Sequence, residues 1–545
     1  MTNLIQVETR STTARGRIAF VLVAVTGALL LTRSLTPAPA FTDAFYHFNA
    51  ANRLVSGQGL TDEYLWVYIG APDSLPAPSH LYWMPLTSLV AAFGMGLFNA
   101  PVDYSAAQLP FALMLAGTAY VAFWLGCRFG QTPRHAWLAG LITLFGGFFA
   151  RYWGATDTFA PYALIGSLCL VLTGLALQNR RGRHSGLRPY GLWLLCGIMA
   201  GLGHLTRADG LLLLIVAWAA ILWPFYRSIE QRRSEGAVVS RGLACAAVLA
   251  GYLLLMAPWF ARNLQAVGTP LSTGGTQAIW FTEYNDLFNY PPVAAPEMLF
   301  ADGLSTFVRS RWEAFINNLG TFVAVEGMIV LVPLMLIGLW RRRSDPFLRG
   351  FWLYALGLHV AMTLVFPYPG YRGGLFHSSA ALLPWWAALG AAGLDDAIDW
   401  IAQRRRHWNR HIAKRVFAGA LIGFVIMLSL LVALPVAAVG RIPPLYRALQ
   451  AMLPADARVM INDPAQLYYY TGLGGVVLPN AEPAVIPEIA GRYEIDYLVL
   501  EAVTQDGQAV LAASQKLASI LTSPPHFLTE MAIDVPGVRL YAIHR

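Results

Sequence analysis

Eleven apolar runs punctuate this sequence, near residues 18–35, 104–126, 136–150, 158–177, 190–205, 211–226, 243–260, 320–340, 347–366, 376–394 and 416–439. Each is at or near the length needed to cross the ~30 Å hydrocarbon layer of a bilayer. Inside lipid a backbone must satisfy its own polar groups, so runs of this kind can only be helices. The chain reads as a polytopic α-helical membrane protein with about 11 spans. Of its 545 residues 56% are hydrophobic and only 12% are charged, which excludes an ordinary soluble domain. The net charge of +8 sits in short clusters between the apolar runs, where lipid headgroups and membrane orientation account for it without nucleic acid.

A twelfth apolar stretch, "LYWMPLTSLVAAFGMGLF" at 81–98, decides the topology. Lys and Arg are enriched on the cytoplasmic side of membrane proteins. With 81–98 left out of the span count, the loops 1–17, 127–135, 178–189, 227–242, 341–349 and 395–415 fall inside and carry 23 basic residues. The outer segments and helix ends of the membrane part then carry eight. Counting 81–98 as a span would send "NRRGRHSGLR" and "AQRRRHWNRHIAKR" outside. The stretch is therefore expected to lie in or on the outer leaflet, with the N-terminus cytoplasmic and the C-terminus on the outer face. "APA" at 38–40 also fits a signal-peptide cleavage site, but the further spans favour a retained anchor.

This topology divides the chain into a membrane part, 1–439, whose first external loop is 36–103, and an external segment, 440–545. In the latter, "ARVMIN", "VVLP" and "YLVLE" read as strands and 464–471, 483–493 and 507–522 as helical stretches, a small α/β domain. The four cysteines lie in or beside apolar runs with no CxxC pair, so neither a disulfide framework nor a cysteine metal site is indicated.

Within the first loop, Ala44, Phe45, Phe48 and Val55 recur at helical spacing, so 41–55 reads as an amphipathic helix at the outer interface. Asp43 and His47, four apart, share its other face, and periodicity alone describes them as a solvated face. "TDAFYHFNAANRLVSGQGL" after a first span resembles the opening of the first external loop in GT-C glycosyltransferases, which include protein O-mannosyltransferases and the aminoarabinose transferase of lipid A. "ARYWGATDTFAPYAL", with Asp157 at a short outer turn, "GLGHLTRADGLLLL", "APWFARNLQAVGTPL" and "YRGGLFHSSAALLPWW" resemble stretches of bacterial members in order and side.

The resemblance implies a polyprenyl-phosphate-linked sugar as donor, an acceptor that is a protein, lipid or glycan, inversion at the anomeric carbon, and a multi-pass position in the cell membrane. It implies Asp43 and Asp157 as catalytic carboxylates. Arg372, Arg262 and His377 are the candidates for binding the donor phosphate, because arginine offers a permanently charged fork of donors. His47, Glu63, His80, Arg207 and Glu326 are possible cavity residues, the last because an ionisable group within a span is expensive. The first loop has one acid where many relatives have a pair, and no outer D-x-D occurs. The expectation is therefore no metal motif and no cofactor, a divalent metal having no motif to support it. Two rival readings are a transporter or lipid-carrier flippase, and a non-catalytic relative that binds an envelope partner. "INDPAQLYYYTG" at 461–472 is expected to be a strand, a turn and a packed helix.

Overall fold

A computed structural model describes all residues except 1–11, 71, 131, 180–187, 224–234, 301–302, 406–407, 438–441, 506–507, 512–513 and 545. The basic loop near 180–187, much of that at 224–234 and the boundary at 439/440 lie outside the described residues. Six described helices are long and apolar enough to cross a membrane: Ala14–Leu35, Tyr104–Phe129, Phe159–Gln178, Val239–Val267, Pro346–Val365 and Arg410–Leu434. Leu86–Leu97, Tyr190–Thr206 and Ala208–Leu222 are shorter apolar helices.

Two expected runs are interrupted. The helix Pro133–Phe145 stops at Gly146, whose φ of 73° is left-handed, and continues as a tight turn over Gly147–Arg151. In 320–340, a widened turn at Phe322–Glu326 gives way to positive φ at Met328 and Ile329 before a new helix starts at Val332. Such breaks inside a membrane helix survive only where neighbouring protein satisfies the freed polar groups.

From residue 444 onward the chain alternates helices and strands. The strands are β1 (Thr61–Asp62), β2 (Tyr64–Leu65), β3 (Ala77–Pro78), β4 (Arg458–Ile461), β5 (Gly474–Val477), β6 (Tyr497–Gln505), β7 (Gln508–Leu511), β8 (Leu528–Met531) and β9 (Val538–Ile543). The helical stretch expected over 507–522 is a strand at its start and a tight-turn helix over Gln515–Leu521. The main sheet runs β2-β5-β4-β6-β9-β8 with β7 beside β6. Its β2 comes from the first loop and pairs parallel to β5, Tyr64 against Gly475. At Gly475 a Cβ would meet the Val459 carbonyl oxygen at 1.9 Å, and its φ of 151° suits glycine. The first loop is thus sewn into the sheet of the C-terminal segment.

That stitching changes the first-loop helix, Thr42–Val55. Its apolar stripe is present, but the opposite face is covered instead of solvated: His47, Asn49 and Arg53 are all buried. The helix Pro464–Thr471 closes over it. Phe45 meets the rings of Tyr469 and Tyr470 at 5.0 and 5.7 Å, and the Asn49 amide donates to the Ala465 carbonyl at 2.8 Å.

Candidate active site

Three separate segments deliver two acids and a histidine. Asp43 lies in the first turn of Thr42–Val55, where the helix dipole favours a negative charge. Asp157 ends the turn before the helix Phe159–Asn179 and accepts from the Thr158 backbone N–H. That turn is clamped onto the first loop. Thr156 Oγ1 donates to the Ala44 carbonyl at 2.8 Å, and the Gln108 amide donates to the carbonyls of Thr36 and Gly154 at 2.6 and 2.7 Å. His377 arrives from the short helix Leu375–Ser379, its ring tilted 38° and centred 4.0 Å from the Phe159 ring, and paired with Thr158 Oγ1 at 3.0 Å. The result is a cluster in which Asp43, Asp157 and His377 each bring a ligand atom within 4.8 Å of the others.

Burial and the neighbouring charge of Asp43 push the Asp157 carboxyl well above the usual carboxylate range. Asp43 is also raised by burial, opposed by a hydrogen bond from Trp83 and by the charge of Arg207. The pair titrates as a unit. Asp157 is fully buried whereas Asp43 is half-buried, so Asp43 is the member that ionises first. Arg207 braces the floor: its Nε donates to Asp209 at 2.9 Å and to Ser378 Oγ at 2.8 Å, and its Nη1 reaches Thr158 Oγ1 at 3.4 Å.

The other expected site residues take different places. His47 and His80 share Ser88 Oγ at 2.8 and 3.0 Å, and burial drives the His47 imidazole down to about 3, so it is neutral. Glu63 forms a 3.0 Å ion pair with Arg53 beside β2. Arg262 lies 4.9 Å over the Trp259 ring and donates to the Leu60 carbonyl. Glu326 is held by His359 at 3.1 Å and by the Trp386 indole at 2.8 Å, with no hydrogen bond to the acid cluster among the described residues. His377 sits with the carboxylates, apart from the arginine it follows in sequence. Arg372 lies 4.5 Å over the Tyr284 ring and lines a cavity of about 290 Å³ that also touches Thr42. A larger open groove of about 1060 Å³, lined by Met452, Glu530 and Arg539, shares no residue with the acids.

No spacing in the sequence marks a metal site, yet the fold gathers two carboxylates and an imidazole from three segments. Asp157 Oδ2 is buried without a hydrogen-bond partner. An O, O, N donor set with one orphaned carboxylate oxygen fits a divalent cation. Sequence reasoning also missed Trp83, the donor to Asp43, and Asp463, which accepts from Thr42 Oγ1 at 2.7 Å. "NDP" is a helix-start signal, and nothing local says where that helix start will be placed.

No family model matches the sequence, and no curated protein does. Solved structures do. Oligosaccharyltransferase AglB from Archaeoglobus fulgidus, in complex with an inhibitory peptide and a dolichol-phosphate, aligns with 89% of this chain and 69% of its own, with TM-score 0.58 and 12% identity. The A. fulgidus enzyme in complex with Zn and sulfate aligns with TM-score 0.55 and 13% identity over 87% and 67% of the two chains. ArnT from Cupriavidus metallidurans, bound to undecaprenyl phosphate, covers 97% of this chain and 98% of its own, with TM-score 0.54 and 14% identity. AglB and ArnT are both GT-C membrane glycosyltransferases, and the chain shares their fold. Within that fold its length matches ArnT nearly end to end.

Proposed function

We propose that this protein is an integral membrane glycosyltransferase that moves one sugar from a polyprenyl-phosphate donor to an acceptor hydroxyl on the outer face of the cell membrane, with inversion. The observation that carries the reading is the Asp43–Asp157–His377 cluster, set beside an Arg372-lined cavity in a chain with the GT-C fold.

The acceptor hydroxyl hydrogen-bonds to the ionised Asp43. As its oxygen bonds to the anomeric carbon, its proton passes to the carboxylate. The bond from that carbon to the phosphate oxygen breaks, and the electron pair leaves with the lipid phosphate. That leaving group is a weak base, so no strong general acid is needed. Arg372 offers its fixed charge to the phosphate oxygens. Asp157 holds its proton longer than Asp43 and thereby leaves the single negative charge of the pair on the base. A divalent cation held by Asp43, Asp157 and His377 would displace the Asp157 proton and supply electrostatic stabilisation of the departing phosphate.

The eleven-span topology, with cytoplasmic N-terminus and external C-terminal α/β domain, belongs to the same proposal. The helix Leu86–Leu97 has 12 residues and is about 18 Å long at 1.5 Å per residue, too short to cross. Its exposed Leu89, Phe93 and Leu97 suit a helix lying in the outer leaflet. The test is turnover of a panel of polyprenyl-phosphate monosaccharides by the purified full-length protein in nanodiscs, read as free polyprenyl phosphate by mass spectrometry. Release with at least one donor is expected. No release with any donor, under conditions in which a characterised GT-C enzyme is active, overturns the reading.

A further inference from the structure

The small cavity beside the acids has walls from four distant parts of the chain. Trp66 comes from the first loop, Tyr284 and Phe288 from the loop after Val267, Arg372 from the turn before Leu375, and Asp463 and Asn480 from the C-terminal segment. Trp66 packs 4.5 Å from Trp83, the residue that hydrogen-bonds Asp43, so one aromatic wall runs from the cavity to the candidate base. Asp463 and Tyr284 both feel the charge of Asp43. Asn480 locks the two sides together, its N–H donating to the Phe288 carbonyl at 2.8 Å and its amide to Asn289 Oδ1 at 2.7 Å.

From this geometry we infer that the C-terminal segment completes the substrate site: the cavity is a monosaccharide subsite for the donor sugar, in which Asp463 accepts hydrogen bonds from ring hydroxyls. The volume, about 290 Å³, lies at the lower edge of the ~300–1,000 Å³ usual for small-molecule sites, which suits one sugar ring and excludes an oligosaccharide. The lining matches a sugar's two chemistries. Trp66, Tyr284 and Phe288 offer flat apolar faces for ring C–H groups, Asp463 and Asn480 offer polar atoms for hydroxyls, and Arg372 is left for the phosphate that the sugar carries.

Asp463 is built for the role. Its Oδ1 caps the helix Pro464–Thr471 by accepting from the Gln466 N–H at 3.0 Å, and its Oδ2 accepts from Thr42 Oγ1. A carboxylate oxygen takes more than one hydrogen bond, so acceptor capacity remains for a hydroxyl after both contacts are made. Burial raises its carboxyl while the Thr42 hydroxyl and two backbone N–H groups oppose the rise. Because Asp463 adjoins Thr42, the residue before Asp43, a ring held here lies next to the acids.

The inference rests on the glycosyl-transfer reading for which sugar is bound, and its test separates the two. Asp463→Asn keeps a good helix cap, so the variant is expected to melt like the wild type. It loses the charged acceptor, and KM for the preferred donor is expected to rise about tenfold with little change in kcat, as for loss of one charge-assisted hydrogen bond. Deoxy analogues of that donor locate the contact. The wild type should discriminate against one particular deoxy position, and D463N should lose that discrimination while keeping the others. A variant with the wild-type deoxy profile overturns the subsite assignment and leaves the transferase reading standing. Saturation-transfer NMR with free neutral monosaccharides on the full-length protein tests binding without turnover. Saturation in the wild type that weakens in D463N supports the subsite, and equal saturation in both refutes it. Absence of saturation in both also counts against it.

Discussion

Asp43→Asn is the sharpest test of the proposed chemistry, because it removes the proton acceptor while preserving shape. General-base catalysis contributes typically ~10²- to 10⁴-fold, or about 3 to 5 kcal/mol at 1.36 kcal/mol per tenfold. The structure points to the lower part of that range for the single variant. Asp157 offers a second carboxylate within 4.8 Å of the same site. Removing the Asp43 charge also removes one of the two causes that hold the Asp157 proton in place. Asp157 then ionises more readily and takes over part of the work. The expected loss in kcat is therefore about 10²-fold for D43N and about 10⁴-fold for D43N with D157N, because the double variant leaves no carboxylate to take the proton.

Folding should not suffer. A raised carboxyl contributes stability only while protonated, which is lost as pH rises through its folded value, and an amide removes that pH dependence at residue 43. At pH 8 the variant should melt at or above the wild-type temperature. The assay is release of polyprenyl phosphate in nanodiscs from saturating donor and acceptor, with a thermal melt on the same preparation. A well-folded D43N protein with wild-type kcat refutes the base assignment.

Arg372→Ala should weaken donor affinity by about tenfold or more, as loss of a charged hydrogen-bond partner does, with acceptor affinity unchanged; equal donor titrations for both proteins would remove Arg372 from phosphate binding. The acid cluster should bind Mn²⁺ or Zn²⁺ by calorimetry, more weakly as pH falls because raised carboxyls hold protons in competition with the cation, and H377A should weaken binding; heat independent of pH and of His377 would place the ion elsewhere. Arg53→Ala breaks the Glu63 pair and the bond to Tyr468 Oη at 3.1 Å that ties the first-loop helix to the C-terminal segment. It should lower stability by about 2 kcal/mol, read as an earlier melt and faster proteolysis near residue 58, and an unchanged melt would show that this tie is unimportant. A single cysteine at Asn99 or Asp103 should react with an impermeant maleimide from the outer side, and labelling only from the cytoplasm would reverse the topology.

Much of the arrangement was legible because membrane insertion is a one-dimensional problem. Apolar length and basic-loop bias are local properties, and they were enough to put Asp43, Asp157 and Arg372 on one expected face. The helix at 464–471 was legible in the same way, since Asp463-Pro464 is a local start signal. What misled the reading was also local. Periodicity described His47 and Asp43 as a solvated face because it cannot know that Ser88, His80 and Trp83 will pack against it. The continuous run at 320–340 hid a break at Met328 and Ile329, because hydropathy sums side chains and is blind to backbone φ.

By itself, then, the sequence set the expected solvent of each segment: which runs are apolar enough to enter lipid, which loops are polar enough to stay in water, and which chemistry-bearing residues would face the same side. Hydrophobic transfer acts residue by residue, so it is written in order along the chain. Only the tertiary structure decided that His377 joins the two acids, that Glu63 turns to Arg53, and that Asp463 stands beside Thr42 from 421 residues away. These contacts depend on side-chain fit between segments remote in sequence, and pairwise fit leaves no periodic trace.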